Sequence, residues 1–221
     1  MQIKILLVLF SICIIATTVD AQIKKGTVLL GGQIGFSLQK TKNDPAPPNP
    51  YPPDFKSTNI TLSPAFGKAI KDNLVIGADI YYSYLKYQSY QPQQQKNNAY
   101  GAGLFVRKYN DLGKGFYFFV QGRAGVTYNR QETEDLLAPV NNTLSKGYEI
   151  QIAVYPGIAY NVSKKLQMEA GFNNLGYLQF NHSKSTALPA SSWSAVTNNF
   201  SAGSSLSNFS GLTPGFRILL M

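Results

Sequence analysis

The first candidate for chemistry is His182, the only histidine of the chain, which lies in the stretch NHSKS. A histidine can activate a serine nucleophile when the two side chains are within hydrogen-bond reach. In a β-strand, side chains two residues apart share a face, whereas adjacent side chains point apart. Lys184 occupies the position two residues after His182, and Ser183 points to the other face. This spacing favours a rim histidine in a polar loop over a catalytic pair.

Three other stretches are weak candidates for a ligand site. The acidic stretch ETED, residues 132–135, could bind Ca²⁺ weakly, but it lacks a glycine loop with ligand spacing and is more typical of a solvated loop tip. The glycine-rich stretch at 26–35 has no following helix and no Lys-Ser/Thr pair, which excludes a phosphate-binding loop. Cys13 is the only cysteine and lies in the leading segment. We therefore predict no catalytic, cofactor-binding or metal-binding residues.

Charged residues in the middle of apolar segments are the more informative group. They comprise three acids and three bases: Asp79, Arg107, Arg123, Glu149, Glu169 and Arg217. Burying such charges is costly unless each has a partner. Counting along the segments places Glu169 and Arg217 at similar depth on neighbouring segments, so we predict that they pair. We expect Asp79 to pair with Arg107 or Arg123.

The segments that carry these charges alternate in polarity as β-strands do. In GYEIQIAVYPGIAY, residues 147–160, the even positions are apolar or aromatic and the odd positions are small, polar or charged. The same period of two recurs elsewhere, and no window has a helical period. Several segments are longer than the roughly 5–6 residues usual in globular proteins. The pattern predicts eight strands, at residues 27–39, 59–67, 74–84, 100–109, 116–129, 147–160, 166–173 and 212–220.

The connections between these segments alternate strictly in length. Short turns are predicted at residues 68–73, 110–115 and 161–165, and long loops at 40–57, 88–98, 130–146 and 183–205. Outer-membrane barrels have short periplasmic turns and longer extracellular loops. We therefore expect both ends of the chain to be periplasmic.

The distribution of lysines and aromatic residues indicates which face is outside. Lysines stand almost entirely at segment ends, and the polar face carries Gly, Gln, Asn, Ser and Tyr, as a packed interior would. Aromatic residues near the ends of the apolar face predict two girdles around a lipid-facing band: Tyr82, Tyr84, Tyr100, Tyr128 and Tyr148 towards the long loops, and Phe66, Phe116 and Tyr160 towards the short turns. The predicted fold is all-β, a closed eight-stranded antiparallel up-and-down transmembrane β-barrel. The alternative is a soluble lipocalin-like barrel with these aromatics in its core.

The N-terminal segment has the pattern of a secretory signal. A lysine precedes an apolar run that ends in small residues, so we predict a signal peptide at 1–21 and a barrel domain at 22–221. Removing the signal leaves the net charge at +9, because one Lys and one Asp are lost. A basic exported protein is suited to anionic lipid head groups, and export argues against nucleic acid as a partner.

The chain resembles the eight-stranded outer-membrane β-barrel family of Bacteroidetes, which has the OmpA/OmpX-like architecture. The resemblance rests on the leader ending DAQ and on SPAFGKAIKDNLVIG, GLFVRKYNDLGKGFYFFVQGRAG and PGIAYNVSKKLQMEAGF. It implies a location in the outer membrane of a Gram-negative bacterium, contacts with outer-membrane lipids including lipopolysaccharide, and recognition by the barrel-insertion machinery. One departure is Met221, because such barrels commonly end in an aromatic residue.

The expected function is non-enzymatic. We expect structural support, or binding and adhesion to an unidentified extracellular ligand through the long loops. An eight-stranded barrel is only wide enough for its own side chains, and the bulky inward residues Tyr81, Phe105, Tyr117, Phe119 and Tyr155 favour a plugged interior over a pore. The alternative is a lipid-modifying barrel enzyme similar to the lipid A deacylases. In those enzymes the serine stands two residues after the histidine, where this chain has Lys184.

Overall fold

The structure, a computed structural model, describes residues 23–41, 55–89, 93–135, 142–172, 175–188, 193–204 and 212–220. The predicted signal peptide at 1–21 lies outside these residues. The described residues form ten β-strands: β1 Val28–Thr41, β2 Phe55–Lys71, β3 Leu74–Ser89, β4 Gln93–Gly113, β5 Phe116–Asp135, β6 Asn142–Asn161, β7 Leu166–Phe172, β8 Gly176–Leu188, β9 Ser194–Gly203 and β10 Leu212–Leu220. No helix among them is long and apolar enough to cross a membrane.

The strands close into a barrel of eight antiparallel strands. Each of β1 to β6 pairs with the next strand along the chain. β7 then pairs with β10, and β10 pairs with β1. The predicted fold class is therefore correct. Closure removes the sheet edges at this end of the barrel, so that the backbone groups there are hydrogen-bonded within the protein.

The seventh and eighth strands of the barrel are each divided into two segments. β7 pairs with residues 157–161 of β6, and β8 pairs with residues 142–154 of the same strand. β9 pairs with β8, whereas β10 pairs with β7 and β1. Gly171 pairs with Gly157 of β6, and Gly176 pairs with Val154 of the same strand. The seventh strand has two more residues across this interval than β6 has. Because two is an even number, inward and outward faces keep the same alternation on both sides of the break.

Where the structure describes them, the predicted long loops at 88–98, 130–146 and 183–205 are largely strand, and this part of the prediction was wrong. Most of the predicted loop at 40–57 lies outside the described residues. Residues 183–205 were expected to be a loop, but β8 and β9 form a hairpin through most of them, and His182 lies within β8. The acidic residues 132–135 belong to β5. Hairpin pairing continues beyond the lipid-facing part of the barrel, where both faces meet water and the apolar alternation that marks a strand is no longer required.

The short turns have backbone conformations that suit tight hairpins. Lys114 and Gly115, which join β4 to β5, have φ values of 53° and 81°. Two successive positive φ angles are the mark of a type I′ turn, whose twist matches that of the flanking strands. Asn73, in the turn between β2 and β3, also has a positive φ of 61°. The described ends of the chain lie at the same end of the barrel, because Val28 of β1 pairs with Leu220 of β10.

The apolar face is on the outside of the barrel. Ile34, Ile80, Leu104 and Phe200 are between 64% and 69% exposed. Inside, a cluster of buried residues fills the end of the barrel that carries the short turns: Ile23, Leu29, Val75, Phe105, Tyr109, Tyr117, Phe119 and Leu219. An exterior this apolar, over several neighbouring strands, is suited to lipid and not to water.

Candidate functional site in the barrel interior

The end of the barrel that carries the short turns, which we call the floor, contains Glu169 between two arginines. Arg217 of β10 donates from Nε to Oε2 of Glu169 at 2.9 Å, and Nη1 of Arg107 on β4 donates to the same carboxylate oxygen. The three side chains are between 2% and 5% exposed. With two arginines to one carboxylate, this cluster carries one net positive charge. Each charge has a partner, which a buried ion requires.

A second layer of side chains holds Arg107 in place. Its Nε donates to Gln121 Oε1 at 2.8 Å and its Nη1 to the Tyr109 hydroxyl at 3.1 Å. The Phe119 ring lies 4.1 Å from the guanidinium carbon, within cation–π range. The Tyr109 hydroxyl in turn donates to Gln167 Oε1 at 3.3 Å. We did not predict these roles for Tyr109, Gln121 and Gln167 from the sequence, although their odd positions on the inward faces of their strands were the available signal.

The second ion pair lies above the floor. Arg123 of β5 donates from Nε and Nη2 to both carboxylate oxygens of Asp79 on β3, at distances of 2.6 to 3.0 Å. This fork geometry is the most directional form of an arginine–carboxylate contact. Gly103 and Gly125 make room for it, because a Cβ at either position would lie 2.6 or 2.7 Å from the Arg123 guanidinium. Asp79 therefore pairs with Arg123, and Arg107 pairs with Glu169.

The sixth inward charge, Glu149, has no salt bridge to any of the described basic residues. Its Oε2 accepts from Gln179 Nε2 at 3.0 Å. Gln179 Oε1 accepts from Gln151 Nε2 at 3.2 Å, and the Tyr155 hydroxyl donates to Gln151 Oε1 at 3.2 Å. Glu149 thus belongs to a chain of hydrogen bonds with uncharged side chains of β6 and β8 and not to an ion pair.

Above the floor the described residues surround a cavity, whereas we had predicted an interior filled by side chains. A cavity of about 630 Å³ is lined by residues of β1 to β7 and β10. Its lining is mostly polar and includes Gln33, Ser63, Asp79, Asn97, Arg123, Thr127, Glu149 and Tyr155, with Arg107 and Arg217 among the lining residues of the floor. Among the described residues, the buried cluster of large side chains packs at the end with the short turns.

The tyrosines predicted to form a girdle include a continuous row on the outer face. Tyr82, Tyr100, Tyr128 and Tyr148 are direct cross-strand neighbours on β3, β4, β5 and β6. The rings of Tyr82 and Tyr100 are 5.2 Å apart. Tyr84 lies two residues beyond this row, on the same face of β3.

Towards the short turns, Phe116 and Tyr160 pack with ring centroids 4.5 Å apart. Phe66 lies on the outward face of β2 and is 52% exposed. The aromatic residues therefore stand on both sides of the apolar band.

His182 lies on the outward face, beside the row of tyrosines. Its ring stacks on Tyr148 at 5.1 Å, and its Nδ1 is 2.7 Å from Asn198 Oδ1. Ser183 and His182 both line a smaller cavity of about 240 Å³, but their side chains point to opposite faces of β8. The placement of His182 in a loop was wrong, and the opposite orientation of Ser183 is as expected from the spacing.

These features define a class: a closed eight-stranded antiparallel β-barrel of the transmembrane type, with an apolar exterior and a charged interior. No protein-family model matches the chain, and no curated protein matches it. Among solved structures, the chain is similar to Neisserial surface protein A, with a TM-score of 0.40 and 14% sequence identity over 88% of this chain and 97% of that chain.

Proposed function

We propose that this chain is a non-enzymatic outer-membrane protein of a Gram-negative bacterium, embedded as a barrel and not acting as an open pore. The observation that carries the proposal is the combination of an apolar outer band with a floor of buried, paired charges. The Arg107–Glu169–Arg217 cluster and the aromatic residues around it fill the end with the short turns. An open channel would need a continuous polar lumen, as wider barrels have.

The proposed orientation places the floor and both termini in the periplasm. The described ends meet beside the short turns, at Val28 and Leu220. The strands extend furthest at the opposite end, where long outer segments are typical of the extracellular side. In this proposal residues 1–21 are removed during export, and the insertion machinery assembles the domain at 22–221.

Basic residues on the outer face support the proposal that an anionic partner binds at the extracellular end. Lys40 lies directly opposite Lys56, and Lys146 lies directly opposite Lys184, all four outward-facing and exposed. Like charges in such cross-strand positions destabilise a sheet unless an anion lies between them. The Lys146–Lys184 pair is two residues beyond Tyr148 and His182, at the level where lipid head groups meet an aromatic girdle. Phosphate groups of lipopolysaccharide have the matching charge.

Binding of an extracellular ligand by the outer hairpins remains part of the proposal. The hairpin β8–β9 and the ends of β4, β5 and β6 form an extended polar surface beyond the girdle. The lipid A deacylase alternative receives no support from His182, whose nearest polar contact is Asn198 and whose adjacent serine faces away.

Two measurements test this proposal together. The purified protein should insert into lipid bilayers, migrate faster on gels before heating than after it, and show no large steady conductance in planar bilayers. A monodisperse folded protein in plain buffer would contradict the membrane assignment. A large steady conductance that is unchanged by Arg217→Gln would contradict the closed floor.

A further inference from the structure

Three lysines lie close together on one part of the outer wall, at the floor end of the barrel. Lys68 and Lys71 are on β2 and Lys108 is on β4, and all three are exposed. Lys71 and Lys108 are both cross-strand partners of Leu74, which lies between them on β3. Directly opposed residues of an antiparallel pair share a face. We call these three lysines, with Leu74 and Ile76 between them, the basic patch.

A β-bulge directs Lys71 towards the outer wall. Ala69 pairs with Val75 and Lys71 pairs with Leu74, so the register shifts between the two pairs. Ala69 faces inward and is 1% exposed, whereas Lys71, two residues later, is exposed. In a regular strand, residues two positions apart point to the same side. A bulge changes the direction of a side chain in this way, and here it adds a second cation to the wall of β2.

Backbone hydrogen bonds hold the turn that carries the patch. Asn73, with a φ of 61°, donates its N–H to the carbonyl oxygen of Ile23 and accepts the N–H of Tyr109 on β4, both at 2.8 Å. The N–H of Gly26 donates to the carbonyl oxygen of Ala69 at 2.8 Å. The turn is thus joined to β4 and to the segment before β1. A surface held in this way loses little conformational freedom when a ligand binds.

The charges of the basic patch are not neutralised within the described protein. No salt bridge among the described residues includes Lys68, Lys71 or Lys108. The carboxylate of Asp72 accepts the backbone N–H of Lys25 at 2.8 Å. Neighbouring strands are about 4.8 Å apart, which places the backbones at Lys71 and Lys108 about 10 Å apart. Two flexible lysine side chains can contact one anion across that distance.

Apolar side chains adjoin the basic patch on the same wall. Ile76 is the cross-strand partner of both Lys68 and Val106, and Phe66 lies two residues from Lys68 on the same face of β2. Phe66, Ile76 and Val106 are 52%, 46% and 47% exposed. Lysines at such a boundary lay their hydrocarbon stems on the apolar surface and extend the ammonium group into the polar layer. The patch therefore lies at the edge of the lipid-facing band.

We propose that the basic patch binds the phosphate of an anionic phospholipid in the inner leaflet of the outer membrane. The phosphate lies between Lys71 and Lys108, Lys68 adds to the attraction, and the acyl chains lie along the adjoining apolar side chains. The inference rests on the proposed orientation, which places the floor in the periplasm. It adds a lipid contact at the end opposite to Lys146 and Lys184. The apolar surroundings favour a lipid over an acidic polymer of the periplasm, which would have no use for them.

The test uses the folded full-length protein in an uncharged detergent, with native mass spectrometry to count bound lipids. Dioleoylphosphatidylglycerol should form a saturable adduct and bind about tenfold more tightly than dioleoylphosphatidylcholine, whose head group has no net charge. Glycerol phosphate, the same anion without acyl chains, should not displace the lipid at equal concentration. Equal binding of the two lipids would overturn the proposal, and so would displacement by glycerol phosphate.

Two matched double variants locate the site. Lys71→Gln/Lys108→Gln should weaken phosphatidylglycerol binding by about tenfold and leave phosphatidylcholine binding unchanged. Lys164→Gln/Lys165→Gln removes the same charge from another exposed turn at the same end and should bind as the parent does. Equal losses in the two variants would show general attraction to charge and overturn the site. Lys71→Arg/Lys108→Arg retains the charges and should bind as the parent does, which tests the site even where the glutamine variant fails to fold.

The remaining outcomes separate this inference from the proposed function. A protein that inserts into lipid and migrates in a heat-modifiable way, but does not prefer phosphatidylglycerol, overturns the basic patch alone. Sedimentation with purified cell wall that is lost in Lys71→Gln/Lys108→Gln, without any lipid preference, would assign the patch to a wall polymer and also overturn the proposal. A protein that does not insert into lipid at all overturns both proposals.

Discussion

Arg217 of β10 and Glu169 of β7 lie on neighbouring strands with Nε and Oε2 2.9 Å apart, and both side chains are almost completely buried. Arg107 contacts the same carboxylate from the opposite side of the barrel. The cluster joins strands that are far apart in sequence and seals one end of the interior. Its members depend on one another, since each is the counter-charge of its neighbour.

The first prediction concerns the loss of this acid. Glu169→Ala leaves Arg107 and Arg217 close together without a counter-charge, so we expect the free energy of unfolding to fall by about 3–5 kcal/mol. Urea unfolding in lipid vesicles, followed by the gel mobility of the folded form, measures the change.

Glu134→Ala is the matched control for that measurement. Glu134 pairs with Lys96 at 3.4 Å near the outer end of the barrel, where the side chains are about one third exposed. Such a pair contributes about 0–1 kcal/mol. Equal destabilisation by the two substitutions would contradict the assignment of Glu169 to a buried network.

The second prediction concerns a glycine at the floor. A Cβ at Gly157 would lie 2.3 Å from the Phe119 ring and 2.7 Å from the Ala170 carbonyl oxygen, so Gly157→Ala forces a shift in tightly packed groups. We expect a loss of about 1–3 kcal/mol, the usual cost of overpacking a core. Gly122→Ala, whose nearest atom would be 3.7 Å away, should change the stability little in the same unfolding assay. The reverse order of the two variants would argue against the close approach of β6 and β7.

The third prediction concerns topology. Apart from Cys13 the chain has no cysteine, so a single introduced thiol is a specific label. Lys184→Cys lies on the outer hairpin and Lys165→Cys beside a short turn, and both positions are exposed. A membrane-impermeant maleimide should label Lys184→Cys on intact cells and Lys165→Cys only after the cells are permeabilised. Labelling in the opposite order would invert the proposed orientation.

The fourth prediction concerns the basic pairs above the tyrosines. The double variant Lys146→Gln/Lys184→Gln removes two facing charges, and each surface charge contributes about 1 kcal/mol to attraction by anionic lipid. We expect weaker binding of lipopolysaccharide to the folded barrel, and a smaller decrease of that binding with added salt. Lys164→Gln/Lys165→Gln, at the other end of the barrel, is the matched control and should behave as the parent does. No difference between the two double variants would remove the support that these pairs give to a lipid partner.

The alternation of residue types was sufficient to predict the lipid-facing part of the barrel. The period of two specifies which side chains share a face, and the lysines on the apolar face stand near the strand ends because burying them in lipid is costly. The same reasoning placed Glu169 beside Arg217, because residues at equal depth on neighbouring strands meet inside a barrel. The alternation could not show whether Asp79 pairs with Arg107 or with Arg123, because the pairing depends on how far each strand is shifted against the next.

The extent of the outer strands is a property that only the tertiary structure decided. Beyond the lipid both faces of a strand are polar, so the sequence signal ends while the backbone pairing of β8 and β9 continues. The sequence determined that an eight-stranded barrel forms and which residues face its interior, because burial acts on each side chain separately. Whether β9 meets β1, and whether the space above Arg217 is filled or open, depends on register, strand breaks and the summed volumes of many side chains, which become definite only when the strands are assembled.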